Sequence, residues 1–517
     1  MLKTNEKTMT LSLNITFTHY FFTFILLSCL SCTTNRIHSN YTVKRPNIVL
    51  IFVDDMGYSD LGCFGSEIKT PHLDSLAANG IRFTNFHNCA KCETTRATLI
   101  SGRFHPEVNT TQLNNCMTIA EGMKAGGYHT IMSGKWHLTG NPIDHGFDRY
   151  FGFLNGAVNF FTGESTLGGK KFRLDKKEFV VPDKEFYTTD AFTDYAIKFL
   201  NEREKDKPFF LYLAHNAPHY PLHAHKKDVD KYRGTYRMGW NVLRDQRLKR
   251  MKEQGIISKD QKLSATPADH KKFSDLSAEQ QDHEDLMMAT YAAMIDCVDQ
   301  NIGRFVNHLK KIDVFDNTLI FFLSDNGACP FQRSTPDTIK NNLKPWDPKS
   351  FWTYDKHWAH ACNTPLRKYK QNQHEGGTRT SMIAHWPQGI VQPGRIDRQL
   401  GHVVDFHATC LDLAGVPYPT TYKTQNIGPQ RGLSLDPILK GKQRIPHKEL
   451  FYTFKSKYSA LQTGDWKLVD NKELYNIKDD IIEMNNLKDK HPEKFNEMKK
   501  RWAELNASFP DNKKKKK

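Results

Sequence analysis

Four places in the chain set oxygen, nitrogen and cationic groups directly behind apolar runs. Asn47–Val53 (NIVLIFV) is followed by Asp54-Asp55, and Tyr128–Met132 leads into Ser133-Gly134-Lys135-Trp136-His137. Phe209–Ala214 leads into His215 and then Ala217-Pro218-His219, and Thr318–Leu323 is followed by Ser324-Asp325-Asn326-Gly327. Continuous apolar, β-branched runs suit strands buried on both faces of a parallel sheet. In open α/β sheets ligands bind beyond the carboxyl ends of the strands. Three carboxylates, an amide, a lysine and several histidines are therefore expected along one edge. Asp54, Asp55, Asp325 and Asn326 are oxygen donors, which calcium or magnesium prefer, whereas zinc prefers nitrogen and sulfur. Adjacent carboxylates on a strand point to opposite faces, so both reach one ion only where the strand ends. An Asp-Asp pair by itself reads most simply as a turn. The matching Asp-Asn behind another buried strand is what favours a metal site.

These groups need elements to hold them. Ser381–His385 is a further strand-like run, and Thr70-Pro71 opens a helix that Gly80 closes. Met287, Tyr291, Met294, Val298, Ile302, Phe305 and Leu309 recur at helical spacing before the Thr318 run, a stripe that reads as core. Strands alternating with helices argue for an α/β layered fold. The 517 residues allow one large domain and a smaller one. The large one is expected over 45–417. Within it, 221–283 is polar, rich in Lys, Asp and Gln, and reads as a largely helical surface insertion. Beyond Pro417 short strands are expected at Leu450–Phe454, Ser459–Thr463 and Trp466–Val469, with a helix near Pro492–Leu505, giving a small α+β unit over 418–510 and a basic tail over 511–517.

An apolar fraction of 38% excludes a disordered chain. The formal net charge is +16, and the run Lys513–Lys517 lies within it. The excess favours anionic ligands. Sulfated glycans, nucleic acid and anionic lipid fit charge alone, but no zinc-finger spacing, RNA-binding signature or basic helix supports a nucleic-acid partner. Lys3 and Lys7, the apolar stretch Tyr20–Leu30, and then small residues with Cys29 and Cys32 read as a signal peptide over 1–32. The apolar core is short for a membrane span. Export is expected, to the periplasm, the outer membrane or the medium. The segments around Cys29 and Cys32 leave a lipid anchor open, and an uncleaved N-terminal anchor is the alternative. With ten cysteines in an oxidising compartment, a few disulfides are open.

The motifs also fall in a recognisable series. It runs from Asp54-Asp55-Met56-Gly57 through Cys92-Glu93-Thr94-Thr95-Arg96-Ala97-Thr98-Leu99-Ile100-Ser101-Gly102-Arg103 to Gly134-Lys135-Trp136-His137-Leu138. Ala217-Pro218-His219-Tyr220-Pro221, Ser324-Asp325-Asn326-Gly327, Asn363-Thr364-Pro365-Leu366-Arg367-Lys368-Tyr369-Lys370 and His374-Glu375-Gly376-Gly377 follow. Each is weak alone. In this order, over nearly the whole mature chain, they make the sequence resemble the sulfatase family within the alkaline phosphatase superfamily. The stretch Trp358–Pro387 is similar to bacterial enzymes usually called arylsulfatases. Thr94 stands where the family signature C-x-P-x-R, read by the maturation enzymes, has proline.

The resemblance implies an α/β fold with a large mixed, mostly parallel sheet flanked by helices. It implies that a maturation enzyme oxidises Cys92 to formylglycine, whose hydrate attacks sulfur with one hydroxyl and expels sulfate with the other. One calcium ion would be held by Asp54, Asp55, residue 92, Asp325 and Asn326. Arg96 would stabilise the formylglycine oxygen and metal site, Lys135 and Lys370 would clamp sulfate oxygens, His137 would assist sulfate release, Asp325 would act as base and His219 as general acid. The substrate would be a sulfated carbohydrate or an aryl sulfate, with export and basic balance favouring sulfated polysaccharide. Taken singly, each residue has a plainer reading. Lys135 would be a solvated lysine, His219 a loop histidine, Cys92 an inert buried thiol and Arg96 a surface ion-pair partner. His215, His374 and His385 are either substrate contacts or packing residues. Two alternatives stand beside the sulfatase reading. One is a phosphatase or phosphodiesterase of the superfamily, using Thr94 or Thr95 and two zinc ions. The other is an unmodified, non-catalytic binder of sulfated glycans.

Overall fold

The computed structural model describes residues 45–166, 172–455 and 457–510. The leader over 1–32, with Cys29 and Cys32, and the basic tail lie outside the described residues.

Eleven strands make the main sheet. They are β1 (Asn47–Val53), β2 (Ile81–His87), β3 (His129–Lys135), β4 (Arg149–Phe153), β5 (Phe172–Leu174), β6 (Lys177–Glu178), β7 (Phe209–Ala214), β8 (Thr318–Ser324), β9 (Arg379–His385), β10 (Arg395–Asp397) and β11 (Gly401–His402). Their order is β10-β2-β9-β8-β1-β7-β3-β4-β5-β6, with β11 beside β2. β8, β1, β7, β3 and β4 run parallel, while β9 is antiparallel to both β8 and β2. The sheet is thus large, mixed and mostly parallel, as expected.

The continuous apolar runs resolve into two cores, because a strand alternates its side chains. Val49, Ile51 and Val53 of β1 join Leu211 and Ile320 in one core; Ile48, Leu50 and Phe52 join Phe210 and Phe321 in the other. Helices Thr188–Glu202 and Ala278–Lys311 bury Phe192, Phe199, Tyr291 and Val298 in the first. Helices α2 (Cys92–Ser101) and Asp405–Ala414 bury Leu99, Ile100 and Phe406 in the second.

Local readings needed correction in three places. Helix α1 (Pro71–Ala78) ends at Asn79, and Gly80 is there for close approach: a Cβ on it would lie 2.2 Å from the Ala384 carbonyl oxygen. β3 runs on to Lys135, so this lysine ends the strand instead of following it. Much of the polar stretch 221–283 is exposed, but part of it is packed inside and less of it is helical than expected. Its longest helix, Gly239–Glu253, buries Trp240, Leu243, Arg247 and Met251. Arg247 reaches Asp60 at 2.5 Å and Glu67 at 2.8 Å, and much of 254–277 is irregular. Composition read the charges of this stretch as solvated, and many are, but Arg247 is buried against two carboxylates.

A second, four-stranded antiparallel sheet follows, from Leu450–Phe454, Tyr458–Thr463, Trp466–Val469 and Glu473–Asn476. Helix Pro492–Ser508 packs Met498 and Leu505 into its core with Phe451 and Leu468. The fourth strand, short and opened by Glu473, carries too little alternation to be read from sequence. A buried ion network ties the two sheets together. The Glu375 carboxylate accepts from His87 (3.0 Å), Arg379 (2.6 Å) and Lys467 (2.6 Å), and Lys467 also meets Glu483 at 3.1 Å. No disulfide forms among the described residues, where all eight cysteines are free.

Candidate active site

The first turn of α2 is stitched to the ends of two central strands. The Thr95 hydroxyl donates to the Asp325 carbonyl at 2.7 Å. Arg96, fully buried, donates to the Asp325 carboxylate at 2.8 Å, to the Lys135 carbonyl at 2.8 Å and to the Tyr212 hydroxyl at 3.1 Å. Cys92 is the first residue of this ten-residue helix and is 2% exposed. Backbone N–H groups and the helix dipole there favour anionic oxygen.

The Lys370 loop closes over the same point. Lys370 N–H donates to the Ala328 carbonyl at 3.1 Å, and Gln371 N–H donates to the Ala90 carbonyl, two residues before Cys92, at 2.7 Å. Asn363 braces the loop, accepting from Ala328 N–H (3.2 Å) and donating to the Lys368 carbonyl (3.2 Å).

Asp54, Asp55, Asp325 and Asn326 are buried together beyond β1 and β8. Asp55 takes a left-handed φ of 71°, which lets two successive carboxylates turn to one side where extended backbone would oppose them. Lys135 donates to Asp54 Oδ2 at 2.5 Å; Lys370 and Asn326 Nδ2 each donate to Asp55 Oδ1 at 2.5 Å. Asp54 Oδ1, Asp55 Oδ2 and Asn326 Oδ1 are buried with no hydrogen-bond partner. Partnerless buried oxygens are costly, and three of them beside further carboxylate make a donor set that fits a hard cation. Ligand atoms of Asp54, Asp55 and His219 all lie within 4.8 Å of one another.

The charges act on each other strongly. Burial pushes the Asp54 carboxyl up, but Lys135, His219 and Lys370 outweigh it and hold Asp54 well below the usual carboxylate range. Asp55 is held down in the same way by Lys370 and His219 against burial. Burial, then the neighbouring Asp54, push Asp325 upward against Arg96 and Lys135. The Cys92 thiol is pushed up by burial, against the pull of Lys135, Lys91 and Lys370.

Two histidines flank the charges. His219 Nδ1 donates to the Tyr220 carbonyl at 2.6 Å, which turns Nε2 toward Asp55, 3.5 Å away. Burial brings this ring down to about 4, against the upward pull of Asp55 and Asp54. His137, with a left-handed φ of 57°, groups with Cys92 and Glu93, and its Nδ1 is buried without a partner. Burial, Lys135 and Arg96 keep it neutral.

The structure therefore brings Cys92, Arg96, Lys135, His137, His219, Lys370, Asp54, Asp55, Asp325 and Asn326 to one place. Two other histidines go elsewhere. His374 pairs with Glu473 at 2.8 Å on the second sheet. His385 sits beside Ile320, toward the far end of β8. His215 is fully buried with both ring nitrogens unpartnered, against the Phe192 ring. Sequence reading missed Glu93, whose carboxylate lies 3.3 Å from Cys92 Sγ, and Lys91, which caps α2; both adjoin Cys92, and only the helix start reveals their direction. Cys89-Ala90-Lys91-Cys92 has C-x-x-C spacing, but the Cys89 thiol turns away to Thr98 and His402. Thr94, at the signature's proline position, donates its hydroxyl to the Lys91 carbonyl at 2.9 Å.

Comparisons with known proteins agree with this geometry. The model of the family described as Sulfatase matches residues 46–416, and that described as N-sulphoglucosamine sulphohydrolase, C-terminal, matches 369–508. An uncharacterised sulfatase of Schizosaccharomyces pombe is 32% identical, covering 90% of this chain and 94% of that one. An arylsulfatase of Klebsiella aerogenes is 32% identical, covering 79% and 95%. Among solved structures, Ps i-CgsB in complex with k-i-k-neocarrahexaose superposes with a TM-score of 0.66 at 26% identity, covering 91% of this chain and 94% of that one. A family match over most of the sequence, on a fold that gathers its motifs at one sheet edge, places this chain in the sulfatase family, as a sulfuric ester hydrolase.

Proposed function

We propose that this sulfatase removes sulfate from sulfated carbohydrates, using a formylglycine made from Cys92 and one calcium ion. The carrying observation is the trio of partnerless buried oxygens on Asp54, Asp55 and Asn326 beside the helix-initial Cys92. Three carboxylates (Asp54, Asp55, Asp325) face three cations (Lys135, Lys370, Arg96), so the site is close to neutral. A dication held by Asp54, Asp55, Asp325, Asn326 and residue 92 would make it positive, as a sulfate ester anion requires, and would supply Lewis-acid polarisation of a bound oxygen. Formylglycine would supply the hydrated aldehyde whose oxygen is the nucleophile.

The chain's own groups have defined work around these. Arg96 fixes the Asp325 carboxylate and so the metal-binding edge. Lys135 and Lys370 each keep a carboxylate partner and have further N–H groups to offer to sulfate oxygens. Asp325, pushed upward by burial, would accept the nucleophile's proton. His137 Nδ1, neutral and partnerless, can accept a proton beside residue 92. His219 offers Nε2 to the leaving oxygen. An anionic ester beside it adds to the upward pull of Asp54 and Asp55, favouring the protonated ring that acts as acid.

Sulfated sugar is the favoured substrate class for two reasons. The net charge is +16, and relatives include a Bacteroides thetaiotaomicron enzyme named N-acetylglucosamine-6-O-sulfatase. The N-terminal sequence further supports action after export, with a maturation enzyme as partner. The test is peptide mass spectrometry of natively matured protein together with a sulfate-release screen. The Cys92 peptide is expected about 18 Da lighter than its cysteine form, and chelation is expected to abolish sulfate release until calcium is returned. An intact thiol in active protein would refute the reading.

A further inference from the structure

The rim of the site carries an arginine with no carboxylate partner. Arg333 lies seven residues after Asn326 on the segment whose Ala328 carbonyl receives Lys370. Its backbone N–H donates to Thr353 Oγ1 at 2.9 Å, which anchors this irregular segment. The guanidinium donates to the Tyr220 hydroxyl and lies near two rings, its Cζ 5.3 Å from the centre of Tyr220 and 5.0 Å from that of Phe331. Tyr220 itself lies against the His219 ring, with centroids 4.1 Å apart and planes tilted by 33°, and near Phe351 at 6.0 Å and 55°. Arg149, Arg233, Arg304 and Arg501 on the surface are each neutralised by Asp or Glu, and the exposed Arg45 and Arg398, without a carboxylate, donate to backbone carbonyls. Arg333 is exposed, and no described carboxylate pairs with it.

An arginine already held by a hydrogen bond and two neighbouring rings loses less entropy when it binds than a free one. One N–H group is taken by Tyr220; the remaining donors are enough for a two-point grip on a carboxylate or sulfate. His219 faces the leaving oxygen in the reading above, so whatever is joined through that oxygen passes its neighbour Tyr220. We propose that Arg333, held by Tyr220 and Phe331, is a specificity residue that grips a second anionic group on the sugar, apart from the sulfate being removed. This rests on the assignment of His219 to the leaving-group side.

Matured enzyme is tested on matched pairs. One arm compares hexosamine 6-sulfate with its 2,6-disulfate. The other compares a monosulfated disaccharide containing a uronate with the same disaccharide lacking the carboxylate. Wild type should prefer the doubly charged member of at least one pair by about 10- to 100-fold in kcat/KM, the worth of one charged contact. The arm that shows the preference tells sulfate from carboxylate. Arg333→Gln should remove the preference, while kcat/KM on 4-nitrophenyl sulfate stays within about threefold. No preference in wild type, a preference kept in Arg333→Gln, or an equal loss on the aryl ester would overturn the proposal. Calorimetric binding of the same pairs to Cys92→Ala protein reads the same preference without turnover. A failed formylglycine reading would therefore show as an inert enzyme whose binding preference still depends on Arg333.

Discussion

At the scale of single residues, the site is a problem of unpaired oxygens among paired charges. Calcium should stabilise the folded chain by about 2.7 kcal/mol at a hundredfold excess over its Kd. Asp54→Asn should lose most of that gain, because a carboxylate oxygen without a partner becomes a weaker amide donor. Thermal shift with and without calcium measures this without any substrate. His219→Gln separates substrates by leaving group. Sugar sulfates, which depart as poor alkoxides, should lose about 10²–10⁴ in kcat, and aryl sulfates far less. Equal losses on both classes would remove His219 from the acid role. The oxygen groups proposed to hold the metal were legible because each follows a buried strand. Lys91, Glu93 and Arg333 were not, since nothing in their spacing sets them apart from surface charges.

At the scale of elements, two devices hold the charged groups still. Gly134 of β3 has φ +114°, and a Cβ there would stand 1.9 Å from the Ala214 carbonyl oxygen on β7. Gly134→Ala must push these strands apart one residue before Lys135. Sulfate release should fall together with thermal stability, and Gly127→Ala, which carries left-handed strain at φ +80° but whose added Cβ meets only the Arg45 side chain at 3.8 Å, is the control for strain without a clash. The second device is the Glu375 network, which pins the loop carrying Lys370 to the second sheet. Lys467→Met leaves Glu375 and Glu483 buried without their ammonium partner. Breaking such a pair costs about 3–5 kcal/mol, and denaturant unfolding should read a loss of that size. A loss below about 1 kcal/mol, the worth of a surface pair, would mean the network is not holding the two sheets.

For the whole molecule, acid sensitivity follows from buried histidines. Burial takes His105, His223 and His407 down to about 4. His407 shows why: Nε2 donates to the Met117 carbonyl at 3.0 Å and Nδ1 accepts from Gln430 at 2.9 Å, so a second proton would face a donor. These rings titrate near 6.5 when unfolded. Their stabilising effect is therefore complete above 6.5 and lost as pH falls from 6.5 toward 4, where unfolding takes up protons. Tm should drop across that window, and His407→Gln should make the drop shallower. An unchanged slope in His407→Gln would remove this ring from the acid response.

The sequence by itself determined the layered α/β plan and the edge at which chemistry would gather. Strand runs and helix stripes are periodic over short distances, and the donors follow the strands at once. It could not decide which charges of 221–283 are packed inside, because buried and solvated charges are spelled with the same letters; only the distances from Arg247 to Asp60 and Glu67 set that residue apart. It named His374 and His385 by their nearness to motifs, yet β9 runs opposite to β8 and carries His385 away from the site. Pairings between residues hundreds of positions apart, such as Glu375 with Lys467 or Arg96 with Asp325, belong to the tertiary structure alone. Which charges meet is set by the order and direction of strands, and no local pattern encodes that order.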